Sequence, residues 1–338
     1  MKRDTDNARG GGIPSWRLGR RAMLGAVAGL TAPALASAQS FPERSLRMIM
    51  PYTPGGATDS VARLVAQRMS ESLQQQVVVE NRSGAGGTLG TGEAARATPD
   101  GYTIAFGNIS TLVLNTLLYR RLPYDPMRDM LPLALIAYVP NVLVVGKDVP
   151  VTNLAELIAY IKAKPGEYNY GSAGNGTIMH LASMLFQQLT GTEMSHVPYR
   201  GSIPALQDVI AGRLLMMIDN VPGPLGLIQG GALKALAVTS EQRVSVLPDV
   251  PTVAEAGLPF FSHQSWFGLC TQKDVPAPIR ARLEAAALEA VRHPATQQRL
   301  RDLGTIPAPK DAGEFGDFWR AEMTFWRPVA ASSQIVLD

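Results

Sequence analysis

Three glycine-rich turns hold the residues whose types and spacing could do chemistry in this 338-residue chain. They are Pro51-Tyr52-Thr53-Pro54-Gly55-Gly56-Ala57, Ser83-Gly84-Ala85-Gly86-Gly87 and Gly171-Ser172-Ala173-Gly174-Asn175-Gly176-Thr177. Each follows a short apolar run and precedes a helical pattern. A turn in that place presents the unpaired N–H groups of a helix start, and glycine removes the Cβ that would hold a ligand off the backbone. Such N–H groups and the positive end of a helix dipole attract anions, so the expected chemistry is anion recognition. A micromolar ligand needs about 8 kcal/mol. A helix start offers roughly 0.3–1 kcal/mol, and a hydrogen bond to a charged group about 1.5–3 kcal/mol. Several donors must therefore converge. Thr53, Thr58, Ser110, Ser172, Asn175 and Thr177 are the expected side-chain contributors, beside backbone amides and ordered water.

The other reactive residues do not assemble into a catalytic motif. His180, His196, His263 and His293 are too scattered for H-E-x-x-H, so no metal site is expected. Leu89 stands where the last glycine of G-x-G-x-x-G would be, Gly171–Gly174 is not G-x-S-x-G, and no Walker pattern occurs. No cofactor is expected. A hydrolase using Ser172 and His180 would need an orienting acid that the sequence does not supply. His180 is expected to be structural, Asp59 or Thr58 to cap a first helical turn, and Arg200 to sit on a solvated rim beside a turn. Trp266 could floor a cleft or pack in a strand. Trp319, Phe325 and Trp326 are expected in the core. Cys270, the single cysteine, lies in an apolar run and reads as a small core residue with no disulfide partner.

The elements that must position these turns alternate strand and helix. Leu46–Met50 reads as a strand, and Val61, Leu64, Val65, Met69 and Leu73 recur at helical spacing. Gln76–Glu80 then reads as a second strand, which makes a βαβ unit. Further strands are expected at 102–106, 133–137, 142–145, 168–170, 194–197, 214–218, 233–239 and 266–271. Helices are expected at 89–97, 154–164, 178–189 and 203–211. Beyond the last strand, 278–292, 295–303 and 312–325 read as helices. Gly107-Asn108-Ile109-Ser110-Thr111 reads as a loop, and Asp219-Asn220 as a strand end. Helix after strand throughout predicts an α/β fold of two doubly wound lobes joined by a crossover hinge. The lobes are residues 39–141 with 259–338, and 142–258.

Residues 1–38 read as an export signal. They hold a basic stretch ending at Arg20-Arg21, an apolar run over 22–30, and Ala36-Ser37-Ala38 for cleavage. That run is too short to span about 30 Å of hydrocarbon. The paired arginines favour twin-arginine export over general secretion. The signal also carries six basic and two acidic residues, so the formal +3 of the whole chain becomes a body near neutrality. A near-neutral body lacks the basic stripe that nucleic-acid binding requires.

Short stretches in order carry a family resemblance: Pro54-Gly55-Gly56-Ala57-Thr58-Asp59, Val77–Arg82 with Gly84-Ala85-Gly86-Gly87, Pro99-Asp100-Gly101-Tyr102 and Leu122–Pro126. Tyr170–Gly174, His196-Val197-Pro198-Tyr199-Arg200-Gly201, Leu236–Thr239, and Leu247–Thr252 with Ala254–Gly257 follow. Over nearly the whole body the chain resembles the tripartite tricarboxylate transporter solute receptors, or Bug receptors. The resemblance implies a periplasmic Venus-flytrap fold, of the periplasmic-binding-protein type, that acts as a monomer and catalyses nothing. It implies a small carboxylate (a di- or tricarboxylate, an acidic amino acid or an aromatic acid) held by Tyr52, Thr53, Pro54, Gly55, Gly56, Ala57, Thr58 and Asp59 on one side. Ser172, Ala173, Gly174, Asn175, Gly176, Thr177 and His180 face them. Gly107, Asn108, Ser110, Arg200, Asp219 and Asn220 are expected to choose which acid. The implied partner is a membrane permease; a sensor kinase is the alternative.

Overall fold

The structure, a computed structural model, describes Gly12, residues 41–333 and residues 335–338. Apart from Gly12, the expected export signal over 1–38 lies outside the described residues. Residues Pro42–Asp338 form one contact unit.

The chain runs β1 (Leu46–Met50), α1 (Ala57–Leu73), β2 (Val77–Asn81), α2 (Thr88–Ala95) and β3 (Thr103–Asn108). A π-helical turn at Ser110–Leu114 leads into α3 (Asn115–Leu118), α4 (Pro126–Asp129) and the long β4 (Met130–Gly146). Then follow α5 (Leu154–Lys162), β5 (Asn169–Ser172), α6 (Ile178–Thr190), β6 (Ser195–Pro198), α7 (Ser202–Ile210) and β7 (Met216–Asn220). The remainder is α8 (Leu225–Gln229), β8 (Leu233–Val238), β9 (Gln264–Gln272), α9 (Ala277–Arg292), α10 (Pro294–Asp302), β10 (Ile306–Lys310) and α11 (Ala312–Ser333).

The strands form one sheet in two halves that share β4. In the first half β2, β1 and β3 are parallel, and β9 joins β3 to β4 antiparallel. In the second half β7 and β8 flank β4 antiparallel, while β6, β5 and β7 are parallel. Helices cover both faces, so β4 reads as a near-continuous apolar run. Leu143 and Val145 pack with Leu154, Leu157 and Ile161 of α5. Val142 and Val144, on the other face, pack with Ala205, Leu206 and Val209 of α7. Burying one such side chain is worth about 1.5–3 kcal/mol. This alternation fixes the register of β4, because a slip by one residue would turn every side chain to the wrong face.

Three expected elements differ from those observed, each for a local reason. The two strands expected around Pro140 are one strand. Pro140 marks the place where the ladder changes partner, from β9 at Pro140↔Gln264 to β7 at Asn141↔Asn220, so its missing N–H interrupts little. The segment after β9 is not all helix, because Ile306-Pro307-Ala308-Pro309-Lys310 forms β10. Two prolines hide a strand from pattern reading. This one pairs along β4 through a register shift between Pro307 and Lys310. Gly107 and Asn108 lie in β3 rather than a loop, opposite Gly268 and Phe267 of β9, and Ser110 and Thr111 are helical.

The aromatic residues of α11 divide. Trp319 and Trp326 are buried as expected, and Trp319 Nε1 donates to Leu112 O at 2.9 Å. Phe325 is not core, because it is 61% exposed. Cys270 is fully buried in β9, and burial pushes its thiol well above the usual range.

Candidate functional site

A small cavity of about 20 Å³ lies where the two sheet halves meet. It is roomy enough for about one water. Tyr52, Thr53, Gly56, Thr58, Asp59 and Asn108 line it from the first half, and Ala173 from the second. Met50, Met179 and Ser202, which the sequence reading missed, complete the wall.

Three helices begin at this seam without a side-chain cap on the N-cap residue: α1 after Gly56, α6 after Thr177 and α7 after Gly201. Their first-turn residues Thr58, Met179 and Ser202 are in the cavity wall. The expectation that Asp59 or Thr58 caps α1 is therefore corrected. Asp59 Oδ2 instead accepts the N–H of Gly55 at 3.0 Å and Nε of Arg63 at 2.9 Å, while Oδ1 accepts Nδ2 of Asn81 at 2.9 Å. Burial works to raise the Asp59 carboxyl, but these bonds outweigh it and hold the group below the usual carboxylate range. The same Asn81 amide donates to Tyr52 O at 2.9 Å, so the 52–59 turn is held from behind by β2. Tyr52 O–H and Asn108 lie within 3.4 Å, and burial pushes the phenol up to about 12 despite that contact.

The halves touch through backbone and small groups. Ser110 Oγ accepts the N–H of Ile178, the first residue of α6, at 2.9 Å. Tyr119 O–H lies 3.4 Å from Asn175 O across the seam, and within the first half it lies 3.3 Å from Ala85 O while Asn115 Nδ2 donates to Gly86 O at 3.2 Å. A Cβ on Gly86 would fall 2.1 Å from Asn175 O, and one on Gly201 would fall 2.1 Å from Thr53 Oγ1. Asn175 O belongs to the backbone and Gly86 has a left-handed φ, so at position 86 only glycine permits the approach.

Behind the 171–177 turn, Ser172 Oγ lies 2.6 Å from His196 Nε2, not from His180. The same hydroxyl is 3.1 Å from both the N–H and the carbonyl of Gly174. His180 Nδ1 accepts the N–H of Gly176 at 3.3 Å, and its ring stacks on His196 at 3.9 Å. Thr177 Oγ1 donates to Gly174 O at 2.7 Å. Burial drives the His180 imidazole down to about 4. Burial, with His180 beside it, drives that of His196 to about 3, so both rings are neutral hydrogen-bonding posts for the turn. The sequence analysis gave His196 no role at the 171–177 turn. Its role became visible when β5 and β6 were paired, with His196 opposite Tyr170.

The remaining expected residues are placed less centrally. Pro54, Gly55 and Arg200 are exposed and do not line the cavity, and Ala57 opens α1. Asp219 and Asn220 are buried at the end of β7. Asp219 Oδ1 accepts the N–H of Asn220 at 2.8 Å, Oδ2 has no hydrogen-bond partner, and burial lifts the carboxyl to about 7. Trp266 is buried in β9, away from this cavity.

Two wound sheet halves on a shared strand, with helix starts gathered at the seam, define a periplasmic-binding-protein fold. The chain belongs to the tripartite tricarboxylate transporter receptor family: the model of that family, described as "Tripartite tricarboxylate transporter family receptor", matches residues 61–333. It is a solute receptor of that family, not an enzyme. It is 36% identical over 305 residues to the protein BugT of Bordetella pertussis, covering 90% of this chain and 93% of BugT. Among solved structures it is similar to R. palustris Rpa4515 with adipate, at 37% identity and a TM-score of 0.85, covering 88% of this chain and 99% of that one. It is also similar to MatC (Rpa3494) from Rhodopseudomonas palustris with bound malate, at 34% identity and a TM-score of 0.82, covering 86% and 100%.

Proposed function

We propose that the chain captures a small carboxylate between the 53–58 and 172–177 turns in the periplasm and delivers it to the membrane permease of a tripartite tricarboxylate transporter. The observation that carries this reading is the convergence of three helix starts, α1, α6 and α7, on one cavity. Apart from the Ile178 N–H, which Ser110 holds, their first-turn N–H groups supply the several donors that a carboxylate needs, without a fixed cation. The similar receptors solved with adipate and with malate, both dicarboxylates, support the ligand class. In this reading residues 39–141 with 259–338 make one lobe and 142–258 the other. The chain bends where β4 changes ladder at Pro140 and again near residue 260.

The test is thermal stabilisation of the refolded, ligand-stripped protein across a panel of di- and tricarboxylates, acidic amino acids and aromatic acids. A ligand at 100 times its Kd adds about 2.7 kcal/mol of stability, which is readily seen as a raised Tm. No response across the panel would overturn the proposal.

A further inference from the structure

A second cavity, of about 470 Å³, opens where α11 lies across β4 and β9. Small-molecule sites occupy roughly 300–1,000 Å³. Its walls share no residue with the cavity between the turns. Tyr138, Trp266, Phe318, Phe325 and Trp326 line it with aromatic rings. Phe318 sits edge-on to both Tyr138 and Trp266, with ring centres 5.5 Å apart in each pair. Phe325, exposed at the rim, is the ring that a bound molecule would cover.

Glu322 stands among these rings. Its Oε2 accepts both indole N–H groups, from Trp266 at 2.9 Å and Trp326 at 3.3 Å. Two donors on one oxygen fix the carboxylate and leave Oε1 free of both indoles. Glu241 adds a second acid to the wall, and among the described lining residues none is lysine or arginine. His263 is held neutral by burial, its imidazole brought down to about 4. Lys310 Nζ already rests 5.4 Å from the Phe318 ring centre and 5.7 Å from that of Tyr138, so these rings meet a cation within the chain itself.

We propose that this cavity is a second ligand site, for a small organic cation bearing an aryl or alkyl group. Ring faces attract cations through their quadrupole, and the attraction grows when the cation is desolvated. Burial raises the Glu322 carboxyl and the two indole N–H bonds oppose that; beside a bound cation its carboxylate supplies the opposite charge, and the lack of basic lining residues disfavours the anions expected at the turns. The site stands independently of the carboxylate reading.

The probe is benzyltrimethylammonium, titrated into the purified chain by calorimetry and by tryptophan fluorescence, with neutral benzyl alcohol as comparator. Saturable binding at least tenfold tighter than benzyl alcohol is expected, weakened at least tenfold in Glu322→Gln. Phe325→Ala, at an exposed position, should keep the Tm and still weaken binding severalfold, which keeps the test decisive if Glu322→Gln fails to fold. A carboxylate bound between the turns should not displace the cation. Equal affinity for cation and alcohol, or affinity unchanged in every folded variant, overturns the proposal.

Discussion

Ser110 Oγ accepts the N–H of Ile178 at 2.9 Å across 68 residues of sequence, and so a residue beyond β3 satisfies the first turn of α6. The bond exists only while the two sheet halves are together. Removing it leaves a buried donor unpaired, at a cost of about 1–3 kcal/mol. Ser110→Ala is expected to weaken binding of the best carboxylate by about 5- to 100-fold, since 1.4 kcal/mol is tenfold in affinity. Isothermal titration checks this, and affinity equal to that of the parent chain would show that the bond plays no part in closure.

Gly86 makes a sharper test of closure. It sits at φ 61°, and a Cβ there would lie 2.1 Å from Asn175 O. Gly231 has a similar φ of 73° with nothing within 4 Å. Alanine at either position pays a left-handed backbone cost on the order of 1–2 kcal/mol. Only Gly86→Ala also forces the 83–87 and 171–177 turns apart. Gly86→Ala should lose carboxylate binding by more than tenfold while Gly231→Ala retains it, and similar affinities in the two variants would count against the contact.

The stacked imidazoles predict an acid-side loss of stability. His180 and His196 have folded values near 4 and 3, below the ordinary 6.5. Between those limits the unfolded chain binds more protons, so stability is complete above pH 6.5 and falls as pH drops towards 4. Calorimetric Tm measured from pH 8 to pH 4 should decline more gently in His196→Gln, whose amide can still meet Ser172. Parallel profiles would remove the histidines from the explanation.

Asp219 predicts the opposite slope. Its folded carboxyl is near 7, above the ordinary 3.8, so its contribution is complete below pH 3.8 and is lost as pH rises through 7. Each pKa unit is worth about 1.4 kcal/mol. Asp219→Asn, neutral at every pH and still able to accept the Asn220 N–H, should raise the Tm at pH 8 by at least about 2–4 °C. At pH 5 the rise should be smaller, because the folded carboxyl is then protonated and only the unfolded one is ionised. Equal effects at the two pH values would show that the buried charge is relieved in some other way.

Much of the fold was legible because period and punctuation are local. Val61, Val65, Met69 and Leu73 mark the buried face of α1, and Gly56 and Gly176 fall beside helix starts where the turns were expected. The three turns themselves were visible as glycine clusters between apolar runs. β10 was not, because its two prolines argue against a strand until β4 is there to pair with. Phe325 passed for a core residue because a helical pattern shows which residues are apolar, not which side of the helix another element covers.

The sequence by itself determined the α/β alternation, the glycine-rich turns, the near-neutral body and the family, since all of these are written in residue type and spacing. Only the tertiary structure decided which residues meet. It paired Ser172 with His196 rather than His180, set Ser202 and Met179 opposite Thr58, and placed Gly86 against Asn175. These are contacts between chain segments far apart in sequence. They depend on sheet order and register, which the long shared strand β4 fixes and no local pattern encodes.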